Sequence, residues 1–264
     1  MSTSAATLPS ARRLVSPELV RRALALVTAV LLALAAWQLG TWISDGWIPS
    51  LGAIWTDIVA ALGSGETWSD MAITSKRILI AFFASTAIGI VIGFAMGLSR
   101  IAEGYFRPLI VMGLAIPDPV YVIVAILVLG TEESSGIIAL TLALVPFVVT
   151  IVHSAVRARE RQLDEMSRVY RLSRGRYLTE VIGRQIAPAL LAAARTSFAF
   201  AWKIVVLVEA LSQPTGIGSA IYEAFRLLDA AEMIALALIF IVVMRVVDAV
   251  VFGALERRLL AWSR

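Results

Sequence analysis

Residues 78–98 read ILIAFFASTAIGIVIGFAMGL, twenty-one consecutive positions without a charge, with Gly89, Gly93 and Gly97 spaced four apart. At about 1.5 Å of rise per residue, such a run crosses a hydrocarbon core about 30 Å thick. Spacing of four puts the three glycines on one face of a helix. Ala81, Ala84 and Ala87 precede them. Small residues arranged this way let a second backbone approach closely, either a neighbouring helix or a partner subunit. The stretch reads as a membrane-spanning helix built to pack.

The rest of the chain agrees. Of 264 residues, 59% are apolar and 16% charged, against about 25% charged in an ordinary soluble domain. The mean hydropathy is +0.87. Hydropathy marks six spans, at about 23–43, 78–98, 108–129, 136–152, 188–210 and 232–254. None shows the ten-residue alternation of a barrel strand, so the expected class is an all-α membrane protein with six transmembrane helices. The absence of cysteine excludes disulfides, thiolate metal sites and cysteine nucleophiles.

Lysine and arginine set the orientation. With the N-terminus placed inside, seventeen of the 23 fall on the cytoplasmic side: Arg12, Arg13, Arg21, Arg22, Arg100, Arg107, eight arginines from Arg157 to Arg184, then Arg257, Arg258 and Arg264. Lys76, Arg77 and Arg226 fall outside, where the other charges are acidic: Asp45, Asp57, Glu66, Asp70, Glu132, Glu133, Glu223, Asp229 and Glu232. The positive-inside rule then puts both termini in the cytoplasm. The surplus of arginine reflects topology rather than nucleic-acid binding.

The basic stretch 12–22 followed by an apolar run containing Ala33-Leu34-Ala35 has the parts of a signal peptide. Because the run continues through Trp37, Leu39 and Trp42, it reads as a retained helix. The chain thus divides into a cytoplasmic tail 1–22, a transmembrane domain 23–256 and a cytoplasmic tail 257–264. Between the first two spans, Trp47, Leu51, Ile54, Trp55, Ile58, Val59 and Leu62 recur at three- and four-residue steps. This predicts an amphipathic helix on the outer surface, anchoring in the membrane. The longest cytoplasmic segment is 153–187, in which Leu163, Met166 and Tyr170 share a helical face amid Arg and Glu. By periodicity alone it suits lipid headgroups or a protein partner equally.

Charges inside spans are costly and often functional. Arg195 and Arg245 lie near the cytoplasmic edge and read as anchors, Arg245 with Asp248 one turn away. Asp118 stands mid-span between Pro117 and Pro119, which break the helical ladder. Lys203, beside Trp202, lies about 22 Å from the cytoplasmic face by helical rise. Either Lys203 pairs with Asp118 or Glu209, or it lines a passage and favours anions. His153 is the only histidine, and reads as an interface residue. No serine has a histidine and carboxylate arranged around it, and no cluster offers metal ligands, so catalysis is not expected.

Several motifs together carry a resemblance. Glu165-Met166-Ser167 stands where the permeases of bacterial type I ABC importers have Glu-Ala-Ala, and Pro188 matches a proline before the next span. Trp47-Ile48-Pro49-Ser50 looks like that family's entry into the outer amphipathic helix. Ser75 to Phe82 and the three glycines resemble the opening of its core. Arg107-Pro108, Ile116-Pro117 and Leu129-Gly130 resemble pairs along its third helix, and Glu209-Ala210-Leu211 with Gly216-Ile217-Gly218 its signature after the fifth. The nitrate/sulfonate/taurine-like branch is the most similar. Two departures stand out: the family glycine falls on Arg171 and its first motif proline on Arg184.

The resemblance implies a type I importer permease fold whose cytoplasmic coupling helix docks on an ATPase through Glu165, Met166, Ser167, Tyr170, Arg171 and Leu172. It implies partners as well: ATPase subunits, a second permease copy or paralogue, and an extracytoplasmic binding protein, in a bacterial inner membrane. The passage or its gate would involve Asp118, Lys203, Glu209, Gly216 and Gly218. The chain has no Gly-rich phosphate loop followed by Lys and Ser or Thr. ATP and Mg would therefore bind the partner ATPase, and no cofactor is expected here. The expected function is passage of a small, anionic solute such as a sulfonate, nitrate or aromatic carboxylate. An ATPase-independent carrier or channel is the alternative, and a membrane scaffold a third reading. A carrier has no evident need for the 35-residue cytoplasmic segment, and the scaffold reading is favoured only if that segment binds no ATPase.

Overall fold

The structure, a computed structural model, describes residues 17–44 and 47–259. The tail expected over 1–22 lies outside the described residues up to position 16, as do Asp45 and residues 260–264 of the tail expected over 257–264. The described residues form two compact units divided after Ala53. Every regular element among them is helical.

In the first unit, α1 (Pro17–Ile43) runs 27 residues, with its apolar side chains exposed. The segment after it folds back: the Trp37 indole N–H donates to the Pro49 carbonyl at 3.1 Å, and Ser50 Oγ accepts from the Ala53 amide at 3.1 Å. That hydroxyl is the N-cap of α2 (Leu51–Gly63). α2 begins where the Trp47-Ile48-Pro49-Ser50 run ends, four residues later than the apolar periodicity suggests.

The second unit starts within α2 and continues as α3 (Gly65–Leu98), α4 (Arg100–Ala115), α5 (Asp118–Leu129), α6 (Glu133–Arg157), α7 (Arg161–Val169), the short α8 (Arg174–Arg176), a π-helical turn Tyr177–Ile182, α9 (Gly183–Ser212), α10 (Ile217–Arg226) and α11 (Ala230–Leu259). Among the described residues five helical stretches are long and apolar enough to cross a membrane, and the bent pair α4–α5 makes a sixth if it is one crossing.

α3 and α6 form the spine. Gly89, Gly93 and Gly97 lie against Val148, Val152 and Val156, three valines also spaced by four and fully buried. A Cβ added at Gly89 would fall 2.5 Å from Val148 Cβ, and one at Gly93 2.7 Å from Val152 Cβ. Only hydrogen fits. In lipid, where burial of apolar surface drives nothing between helices, this close backbone approach supplies dispersion contacts. A second cluster joins α3, α9 and α11: Phe82 meets Phe198 and Phe252 edge-to-face at centroid distances of 5.9 and 6.4 Å, and Phe198 and Phe252 are tilted at 50° and 5.5 Å.

The stretch 108–129 is not one straight helix. α4 and α5 meet at 102°. Ile116 precedes a proline and takes an extended conformation (φ −75°, ψ 125°), as does Pro117. The break frees carbonyls at the end of α4, and the Tyr121 hydroxyl donates to one of them, Gly113 O, at 2.8 Å.

Candidate functional site

Three regions carry the polar chemistry. The first joins α3, α9 and α10. Asp70, Thr74 and Arg77 share a face of α3 at steps of four and three, and all point into the bundle. Glu209 of α9 is fully buried, and Arg77 is 4% exposed. Their ion pair measures 2.7 Å. The Thr74 hydroxyl also lies 2.8 Å from Glu209 Oε2, and Arg77 donates further to the Thr215 carbonyl at 2.6 Å and the Thr215 hydroxyl at 3.0 Å.

The same side chains cap a helix. α10 starts after Gly216, which has no side chain to cap with, so its first amides need acceptors from elsewhere. Gly216 N–H donates to Asp70, Ile217 N–H to Thr74 and Gly218 N–H to Glu209, each at 2.9 Å. Two carboxylates at a helix N-terminus also meet its positive dipole end.

The glycines are required by the closeness. Gly216 has φ +107°, and a Cβ there would collide with the Glu209 carboxylate. At Gly218 a Cβ would lie 2.6 Å from the Val206 carbonyl oxygen. The Gly-Ile-Gly run is therefore the place where α10 is pressed onto α9. Of the expected gate residues, the structure brings Glu209, Gly216 and Gly218 together, buried, and adds Asp70, Thr74 and Arg77.

Beside this knot lies a cleft of about 610 Å³ bordered by Asp57, Glu66, Asp70, Glu223, Asp229 and Glu232, with no basic side chain in its lining. Among the described residues no three such groups converge closely enough to hold a metal ion. Its field repels anions.

The second region contains Lys203 and Asp118, which are not paired. Glu209, the other carboxylate that Lys203 could reach by sequence, pairs with Arg77. Among the described residues Lys203 makes no ion pair. The residue is exposed, and its ammonium stands 5.8 Å from the ring centroids of both Phe200 and Trp202. Phe200 stacks on Phe147 of α6 at 4.6 Å and 14°. Asp118 is half-buried in the first turn of α5, where the helix dipole favours a carboxylate. Deeper, Asp248 Oδ2 accepts from Arg195 at 3.1 Å and Arg245 at 3.2 Å, tying α9 to α11.

The third region is α7 and its supports. Arg159 donates to the Val156 carbonyl at 2.7 Å and to Asp164 at 3.1 Å, while the Tyr177 hydroxyl donates to Asp164 at 2.9 Å. Ser167 is buried and donates to the Asp164 carbonyl at 2.6 Å. The Arg159 and Tyr177 bonds fasten α7 to the end of α6 and to the π-helical turn that leads into α9. Its outward side keeps Glu165, Met166, Val169, Tyr170 and Arg171 exposed, with Leu172 half-buried. α7 ends in a Schellman turn: Leu172 N–H donates to the Ser167 carbonyl at 3.0 Å and Arg171 N–H to that of Arg168 at 3.1 Å. The position that takes left-handed backbone there is Arg171, at φ +52°. Arginine occupies the turn that glycine would occupy at less cost. Arg184 stands in the first turn of α9, which needs no proline to begin. His153 faces Glu103 at 3.5 Å, beside an Arg157–Glu103 pair.

A helical bundle with a broken span, a buried polar knot at one end and a short exposed helix lashed to its span ends defines a membrane transport subunit. The chain belongs to the binding-protein-dependent transport system inner membrane component family, whose sequence model matches residues 85–260. It is 29% identical to a permease ascribed to aliphatic sulfonates transport in Escherichia coli (strain K12), over 87% of this chain and 88% of that one. It is 26% identical to the taurine transport system permease of the same organism, over 74% and 70% of the two chains. The nitrate import permease of Synechocystis sp. strain PCC 6803 is also 26% identical, over 62% and 60%. In fold it is similar to a chain of the MetNI methionine ABC transporter in an inward-facing conformation, with TM-score 0.59 and 17% identity, covering 74% of this chain and 94% of that chain.

Proposed function

We propose that this chain is the permease subunit of an ATP-driven importer, passing a small anion and driven by ATPase subunits on the cytoplasmic side. The observation that carries the coupling is α7. It is a nine-residue helix, too short to be stable alone, held rigidly by Arg159, Asp164 and Tyr177 and exposing Met166, Val169 and Tyr170. Apolar exposure of that kind on a rigid lever fits a protein partner rather than solvent. Movement of that partner would reach α6 and α9 directly, as alternating access requires.

In this reading both termini and α7 are cytoplasmic, the Glu209 knot is a rigid part of the outer gate, and a binding protein delivers the solute from outside. A second copy or a paralogue completes the passage. Preference for anions rests on Lys203, and the relatives named for sulfonates, taurine and nitrate point the same way.

The test is co-purification. An affinity-tagged chain should bring down an ATPase subunit, and Val169→Asp with Tyr170→Asp should release it without loss of the folded chain. If no ATPase associates and uptake follows an ion gradient, the chain is a secondary carrier.

A further inference from the structure

We infer that Lys203, Phe147, Phe200 and Trp202 form a subsite for an organic anion with a flat apolar body, such as an aryl sulfonate or aryl carboxylate, in preference to a bare inorganic anion. The inference rests on the permease reading and sharpens the substrate class within it.

Lys203 lies nine residues before the end of α9, in the apolar part of a spanning helix. An exposed ammonium without a carboxylate partner is costly against lipid tails, so this face meets water or protein. The surroundings are aromatic. Phe147 and Phe200 are half-buried and stacked, each leaving ring surface accessible. Trp202 is held edge-on by buried Phe240, with centroids 6.1 Å apart at 69°. The rings are therefore fixed before any ligand arrives, which lowers the ordering cost of binding.

The α4–α5 break packs on α6 at Pro146, the residue before Phe147. Gly113, at the end of α4, is pressed against Pro146, where a Cβ would come within 2.8 Å of Pro146 Cγ. Broken helices in a membrane occur where backbone is buried in protein or lines a cavity. A cation beside a stacked pair matches a ligand with a charged head and a π-face. Nitrate offers the charge but no apolar surface to lay on the rings, and must shed water without that compensation.

The full chain with its co-purifying subunits, in lipid nanodiscs, can be probed by 19F NMR line broadening of 4-fluorobenzenesulfonate. Benzenesulfonate should displace the probe at lower concentration than methanesulfonate or nitrate. Lys203→Met should weaken probe binding by at least about tenfold, the loss of one charge-assisted contact. Lys203→Arg should retain most of it. Phe147→Leu and Phe200→Leu should weaken it about two- to tenfold, as loss of a stacked pair does, and narrow the gap to methanesulfonate. Equal displacement by nitrate and benzenesulfonate overturns the inference. So does wild-type probe binding in Lys203→Met, which would leave Lys203 a structural partner of another subunit.

The two readings fail separately. If a loaded binding protein stimulates ATP hydrolysis while the probe ignores Lys203, the subsite is wrong and the importer stands. If no ATPase associates but the probe binds through Lys203, the subsite stands and the importer reading is wrong.

Discussion

Arg77 and Glu209 meet at 2.7 Å inside the bundle, with 5% and 0% of their side chains exposed, and the loop that starts α10 is hung on that pair. Removing one partner strands the other charge, which costs about 3–5 kcal/mol at buried sites. Arg77→Met and Glu209→Met should each lower the unfolding midpoint steeply in detergent. The double variant should lose clearly less than the sum, because no uncompensated charge remains. Additive losses would mean the pair is not coupled.

Gly216 and Gly218 fit only without a side chain. Gly216→Ala should destabilise by about 1–3 kcal/mol, since it adds strain at positive φ to a collision with Glu209. Gly104→Ala is the control. That glycine lies in α4 with open space around it, and alanine should leave stability unchanged or raise it by about 0.5–1 kcal/mol. Thermal unfolding of the pair decides the matter.

The glycine stripe makes a steric prediction. Gly93→Leu should prevent α3 and α6 from closing, because even a methyl group there would sit 2.7 Å from Val152 Cβ. Reduced yield of monodisperse protein on size exclusion is the expected sign. Gly93→Leu combined with Val152→Gly should recover part of it.

At Arg171 the direction reverses. A left-handed non-glycine residue costs about 1–2 kcal/mol, so Arg171→Gly should stabilise the α7 turn by roughly that amount. Slower hydrogen exchange at the Leu172 amide would report it. Unchanged or faster exchange would show that the arginine side chain stabilises the turn by some other contact.

Much of this was legible in the sequence, and the omissions have physical reasons. Uncharged runs and the 89–93–97 spacing announce helices and a close contact, since both are local properties. The proline pair announced a break, though not its 102° angle, which depends on where α5 finds α6 to pack on. Arg77 reads from sequence as one of a few outer charges with no partner assigned, because hydropathy starts the span at residue 78. In the structure α3 begins at Gly65, and its polar first turns aim Asp70, Thr74 and Arg77 inward at helical spacing. Those steps of four and three were the available signal. Their partners, 132 to 146 residues away in sequence, were not readable from one element alone. Sequence allows Lys203 to pair with Glu209 or Asp118, and only the structure shows Glu209 already engaged by Arg77.

Coupling of this permease to an ATPase through α7 shows itself in turnover. The most direct measurement is ATP hydrolysis by the purified complex in nanodiscs, with and without the ligand-loaded binding protein encoded beside it. Coupling through α7 predicts stimulation by the loaded binding protein, and a fall to the basal rate in Val169→Asp with Tyr170→Asp at unchanged thermal stability. Hydrolysis indifferent to both the binding protein and the α7 substitutions would contradict it.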